Sequence, residues 1–355
     1  MFWYLFLVAS PILLMPIVSG YYKVRVDDDP KAKKTFLFWC GLILFLIIAL
    51  RHKDLGSVDS ANYYDNWIRM REMSVAYLPN FLEESDMESG YLLSVWLLSR
   101  VFPNPQFVFV FSGLVFSFAV CRVIYLNSED SMLSMVMYIC LGLYTFMIQG
   151  LRQSIAISIC LLAIESCKKR KLIRFLLLIF IAFLFHRTCV IFLLVYPFYG
   201  LKFDLKSKAI MLASAVVLIL LSPTFIRYGN DFLDKEYTTV ATSGALIATA
   251  VYFIIIAVAF FFLNEKNTDQ NTVFFAFITV VGAALYAARY IGAQVMDRIS
   301  FYFLIGQSIL LPAVIAKFDE KSRQMIKTAV CILCTLLFIY RLNTSYGTEY
   351  IFFWQ

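Results

Sequence analysis

Phe2 to Ser19 passes eighteen residues without a charge, and apolar runs of similar length recur as far as Tyr340, parted by short charged segments. As a helix such a run rises about 27 Å, close to the roughly 30 Å hydrocarbon layer of a bilayer. Inside that layer every peptide group must find its partner within the protein, which a helix does locally. With 61% hydrophobic and 15% charged residues among 355, the chain holds more apolar surface than a soluble interior absorbs. The expected fold is therefore all-α, a polytopic integral membrane helical bundle forming a single transmembrane domain over 1–355.

Twelve crossings are predicted, at Phe2 to Ser19, Thr35 to Leu50, Phe107 to Leu126, Met132 to Ile148, Leu151 to Cys167, Leu172 to Phe185, Thr188 to Tyr199, Ala209 to Ile226, Leu246 to Leu263, Thr272 to Tyr290, Ile299 to Ala316 and Ile326 to Tyr340. Lys23, Arg25, Lys31, Lys33 and Lys34 follow the first run and no basic residue precedes it. That order fits a retained span with its N-terminus outside, not a cleaved signal. Residues 51–106 then form an outer loop. Within it Gly90 to Phe102 rises only about 20 Å as a helix, too short to cross. A crossing there would also turn Lys168-Lys169-Arg170-Lys171 outward, against the positive-inside rule. A short re-entrant or interfacial helix is expected near 90–102. The turn at His186-Arg187 is expected to lie below the membrane surface, and a second outer loop over 227–243 is a candidate lid.

This topology puts 19 basic residues inside and 12 outside, and ten of the outer twelve are arginine against five of the inner nineteen. Positive-inside bias does not sort arginine from lysine. A guanidinium grips phosphate oxygens in pairs and keeps its charge when partly dried, so the sorting points to a pocket for a phosphorylated substrate. Arg152 carries the sharpest form of the idea, set in Gln149-Gly150-Leu151-Arg152-Gln153 between two apolar runs. It reads either as a phosphate grip or as an interfacial anchor. No Gly-rich phosphate loop follows a strand pattern, so nucleotide use is not expected. The eight cysteines sit in apolar runs and read as packing, Cys331 and Cys334 included. No metal and no cofactor are expected, although two outer carboxylates and a diphosphate could share a divalent ion.

Five patches recur on the outer side in order: Arg51 to Trp67 with Asp59-Ser60 and Tyr63-Tyr64, Glu88-Ser89-Gly90-Tyr91, Gly150-Leu151-Arg152-Gln153, Phe185-His186-Arg187-Thr188, and Asp297-Arg298 running on to Leu311-Pro312. Together they resemble the EpsG-like branch of the Wzy-type bacterial polysaccharide polymerases, over roughly Arg51 to Pro312. The resemblance implies an enzyme of the bacterial inner (cytoplasmic) membrane working on its periplasmic side. Such an enzyme moves a growing O-antigen, capsule or exopolysaccharide chain from undecaprenyl pyrophosphate to a new lipid-linked repeat unit. Membrane lipid and a chain-length regulator are the further partners considered; nucleic acid is not one.

Glycosyl transfer of this kind needs a cation for the leaving diphosphate and a base for the acceptor hydroxyl. Arg152 is the first candidate for the cation, followed by Arg289 and Arg298, with Arg51 after them. Gln153 would orient a phosphate or sugar oxygen, or simply bond at the interface. For the base the candidates are His186, Asp59, Glu88 and Asp297; imidazole titrates in the right range. Asp59 and Glu88 could instead hold sugar hydroxyls, and Asp297 could form a local ion pair with Arg298. Tyr63, Tyr64, Trp67 and Tyr91 offer flat faces to sugar rings, or belong to the interfacial aromatic belt. A flippase for the same lipid-linked oligosaccharide and a ligase-type transferase are the rival readings. A flippase should carry internal repeats and mid-membrane cations, neither of which the sequence displays.

Overall fold

The computed structural model describes residues 1–55, 58–233, 243–291, 295–346 and 349–355. These are helical, with no strand among them beyond one isolated bridge between Arg51 and Phe352. In chain order the helices are α1 Phe2–Tyr22, α2 Pro30–Ala49, α3 Val58–Glu72, α4 Leu78–Glu84, α5 Ser89–Val101, α6 Phe107–Asn127, α7 Ser131–Cys140, α8 Leu143–Gln149, α9 Leu151–Lys168 and α10 Leu172–Phe185. A 3-10 stretch, Arg187–Leu194, leads into α11 Val195–Phe198. There follow α12 Leu205–Leu233, α13 Ser243–Phe262, α14 Gln270–Ala288, α15 Val295–Ser300, α16 Ile305–Ile315 and α17 Glu320–Arg341.

Aspartate starts five of them. Asp29 accepts from the backbone of Lys31 and Ala32, Asp130 from Leu133, Asp204 from Ser207, Asp269 from Thr272 and Asp319 from Ser322. Each carboxylate satisfies a donor that the first turn leaves bare and sits at the positive end of the helix dipole. All five helices, α2, α7, α12, α14 and α17, are ones that the predicted topology starts from the cytoplasmic side.

Among the described residues six helices are long and apolar enough to cross a membrane: Phe2–Tyr22, Pro30–Ala49, Phe107–Asn127, Leu205–Thr224, Gln270–Ala288 and Glu320–Thr344. The run expected as a span from Met132 to Ile148 is instead the pair α7 and α8, bent by 51°. Gly142 takes φ 104° at that break, a conformation for which glycine has no steric cost. Leu172–Phe185, Arg187–Phe198, Leu246–Phe262 and Ile305–Ile315 are apolar but shorter. Leu151–Lys168 has the length and carries Arg152, Glu165 and Lys168. Among the described residues six helices, or seven with the bent pair taken as one, have a full span's length and apolarity, and the expected count of about twelve takes in the shorter ones as well. The short helix expected near 90–102 is present as α5. In the second outer loop, 227–233 continue α12, and 234–242 lie outside the described residues.

The chain divides into two compact units. One comprises 1–126, 144–190 and 346–355, the other 127–143 and 191–345. In the first, α1 packs on α2, α3 on α5, and α10 on both α5 and α9. Trp67 is buried and its indole N–H donates to the Phe102 carbonyl at 3.1 Å, tying α3 to the end of α5. Residues 349–355 lie along 50–53: His52 N–H donates to the Ile351 carbonyl at 2.8 Å and Phe353 N–H to the Leu50 carbonyl at 2.9 Å. In the second unit α14 is the axis, with Phe274 and Phe275 fully inside, so these phenylalanines fill the bundle. Phe261 on α13 is 80% exposed. Lys327 on α17 pairs with Asp130 at the start of α7 at 2.5 Å.

Candidate functional site

Three segments of the first unit bring their polar ends to one point. Glu88 is the residue before α5, Arg152 lies in the first turn of α9, and His186 ends α10. Gly90 makes the approach possible. A Cβ there would stand 2.5 Å from the Leu184 Cβ and 2.6 Å from its carbonyl oxygen, so the start of α5 rests directly on the last turn of α10. Any side chain at position 90 would push Glu88 away from His186.

Glu88 accepts on both oxygens. Oε1 lies 2.7 Å from His186 Nδ1, with Arg187 N–H at 3.4 Å, and Oε2 takes Arg152 Nη1–H. Burial alone would raise this carboxyl; the His186 hydrogen bond and the charges of His186 and Arg152 outweigh it and hold the group down to about 2. Glu88 is thus an anion that can only accept, which requires His186 Nδ1 to carry a proton. In the neutral imidazole, Nε2 is then the free acceptor. Arg152 keeps a buried Nε–H without a protein partner.

Tyrosines continue the cluster. The Tyr63 hydroxyl neighbours the Arg152 guanidinium, and its ring meets Tyr91 edge to face at 5.6 Å. Burial raises both hydroxyls, Arg152 acting against it. Tyr63, Tyr91 and Trp67 are core residues, so their ring faces are covered by protein and not open to a sugar. Tyr64 is half-buried and stacks at 6.5 Å on Phe109. Asp59, one turn before Tyr63, is exposed. Gln153 is buried behind Arg152.

Arg51 also has Tyr63 as a neighbour and is fully enclosed. Its Nη1 donates to the Leu55 carbonyl at 2.6 Å, its Cζ lies 4.1 Å from the Phe109 ring centroid, and among the described residues Nε and Nη2 have no acceptor. Burial draws this guanidinium down to about 10, against the pull of Tyr350, Tyr144, Tyr4 and Tyr63 around it. The sequence reading missed this ring of tyrosines. Its one available signal was the aromatic stretch Tyr350 to Trp354 after the last apolar run.

The second unit holds the remaining candidates. Arg289 Nη1 pairs with Asp297 Oδ2 at 3.0 Å and also donates to the Tyr286 hydroxyl at 3.4 Å. Asp297 therefore has Arg289 as its ion-pair partner, where the sequence pointed to the adjoining Arg298. Burial raises the Asp297 carboxyl despite Arg289, and its Oδ1 is buried without a partner among the described residues. Arg298 is exposed.

Fold and site define a polytopic helical membrane protein with a histidine, a carboxylate and an arginine locked together at the ends of three helices. A family model described as the EpsG family matches residues 34–354, and the chain belongs to that family, as its ordered motifs implied. Membership makes it a membrane protein of polysaccharide biosynthesis. No curated protein and no solved structure matches the chain.

Proposed function

We propose that this protein is a Wzy-type polysaccharide polymerase of the bacterial inner membrane. It transfers a growing glycan from undecaprenyl pyrophosphate to a lipid-linked repeat unit, without a nucleotide, at the periplasmic face. The topology that goes with this reading has about twelve crossings, the short helices and the bent α7 and α8 pair counted among them. The observation that carries the reading is the double acceptance by Glu88 from His186 and Arg152.

His186 Nε2 takes the proton of the acceptor hydroxyl as that oxygen bonds to the anomeric carbon. The bond from that carbon to the diphosphate oxygen breaks, and its electron pair leaves with the diphosphate. Arg152 meets the charge that develops there with the part of its side chain that stays open. Base and cation are each one hydrogen bond from the same carboxylate, which holds them in one site. Glu88 fixes the tautomer and stays ionised throughout. Asp59 and Tyr64, accessible at the rim, are the groups placed for sugar hydroxyls and rings; Gln153, Tyr63 and Tyr91 support Arg152 from behind. Arg289, Asp297 and Arg298 form a second polar group proposed to bind substrate, and Arg51 a reserve of positive charge beside Tyr63.

The test is the surface glycan of a deletion strain complemented with variants. Loss of a polymerase leaves single repeat units, loss of a flippase stops export, and loss of a ligase leaves finished polymer on its carrier. Arg152→Ala should lower chain extension roughly 10²- to 10³-fold at unchanged protein level. Arg152→Lys should restore only part, having lost the planar fork. Wild-type chain lengths in the alanine variant would remove Arg152 from the reaction.

A further inference from the structure

α2 and α6 run antiparallel: Gly113 faces Ile48 near one end, and Cys121 Sγ–H donates to the Leu37 carbonyl at 3.3 Å near the other. Between them lies a groove of about 630 Å³, within the size range of sites for small organic ligands. Its walls include Phe38, Leu114 and Phe118, 57 to 62% exposed. Its mouth carries Lys34 and Arg122, both exposed, and among the described residues neither forms an ion pair. Lys33 beside them is neutralised by Asp27 at 3.5 Å, so the charges that Lys34 and Arg122 bring to the groove are unspent.

Ser117 on the floor gives the second, independent sign. Its hydroxyl is buried and has no partner. On the same helix Ser112 takes the usual course and donates to the Val108 carbonyl at 2.8 Å. A buried hydroxyl left bare costs roughly 1–3 kcal/mol, which an acceptor in the groove removes once the side chain turns towards it.

We infer that this groove binds one glycerophospholipid with an anionic headgroup, taken from the cytoplasmic leaflet. The acyl chain lies along Phe38, Leu114 and Phe118, Ser117 donates to a glycerol ester carbonyl, and Lys34 and Arg122 flank the phosphate. Arg122 is about 7.5 Å further along α6 than Ser117, about the depth of an ester below its phosphate. The leaflet follows from the basic residues gathered at this end, Lys23, Arg25 and Lys31 with Lys34, and from the anionic lipid of that surface. Arg51 marks the other end of α2, so the proposed lipid and the Arg152 cluster are served from opposite faces. The inference does not depend on the glycosyl-transfer chemistry.

Native mass spectrometry of the full chain in detergent, titrated with phosphatidylglycerol or phosphatidylcholine, tests it. One phosphatidylglycerol should be retained roughly 30-fold more tightly than phosphatidylcholine, as two basic contacts would give. The Lys34→Glu/Arg122→Glu pair should reduce that ratio to about one while the thermal midpoint holds, and Lys34→Gln/Arg122→Gln serves if charge reversal impairs folding. Ser117→Leu should weaken both lipids alike. Glu88→Gln, which removes the proposed enzyme chemistry, should retain phosphatidylglycerol as wild type does. A preference that survives both charge variants would overturn the site, as would glycerol phosphate competing on equal terms with the whole lipid.

Discussion

Arg51, fully buried, and Arg152, half-buried, lie in the same unit and both neighbour Tyr63, and the protein treats them differently. Arg152 has a carboxylate on one side and keeps 19% of its side chain open; Arg51 has four tyrosines, a phenylalanine face and no acid, and no exposed surface. The first is a charge held in position, partly spent on Glu88 and reachable. The second is an unspent charge that nothing can reach without local opening. A buried cation needs neutralising or dispersing partners. Which of these a site chooses separates a group ready for a ligand from one that shapes the fold.

Four experiments can break or sharpen that contrast. Glu88→Gln removes the anion that both fixes the His186 tautomer and holds Arg152, and chain extension should fall on the order of 10³-fold with the protein still inserted. Extension within tenfold of wild type would detach the cluster from the chemistry. Gly90→Ala forces α5 off Leu184, so glycan length and thermal midpoint should drop together, by about 1–3 kcal/mol in stability. A variant as stable as wild type would mean that the helices part more easily than their contact implies. Arg51→Met exchanges an acid-free buried cation for an apolar chain of similar volume. Its melting point should hold or rise, with extension cut less than about threefold; a large loss of extension at full stability would move Arg51 into the substrate pocket.

The smallest effect concerns acid. The Glu88 carboxyl sits below its ordinary value, at about 2, so its contribution to stability is complete above the ordinary carboxylate range and fades as pH falls towards 2. Purified wild type should lose more thermal stability between about pH 5 and about pH 3 than Glu88→Gln does. Parallel curves for the two proteins would show that Glu88 titrates as an ordinary carboxyl.

Much of the site was legible because lipid punishes charge. Glu88, Arg152 and His186 each stand where an apolar run meets a polar stretch, and that position singled them out. Their meeting was not legible, since Glu88 is 64 residues from Arg152 and 98 from His186 and nothing in either spacing encodes the fold. Hydropathy found the six long helices but not the interruptions. It cannot register the left-handed Gly142 that bends the run from Met132 to Ile148, nor the 3-10 winding after His186. Three of the four rings considered as sugar platforms, Tyr63, Trp67 and Tyr91, are core, because an aromatic on a membrane-edge helix looks the same in sequence whether it faces a neighbour or the solvent.

The pairing of 349–355 with 50–53 has a consequence for biogenesis. The Tyr350 hydroxyl donates to the Ile47 carbonyl across 303 residues of sequence. At bacterial and eukaryotic translation speeds that interval lasts roughly 15 to 60 seconds. Throughout it α2 is made and inserted while one wall of the Arg51 enclosure has yet to leave the ribosome. The nascent protein must shelter that guanidinium by other means, at the bilayer surface or against the insertion machinery, until Tyr350 is made and closes it in.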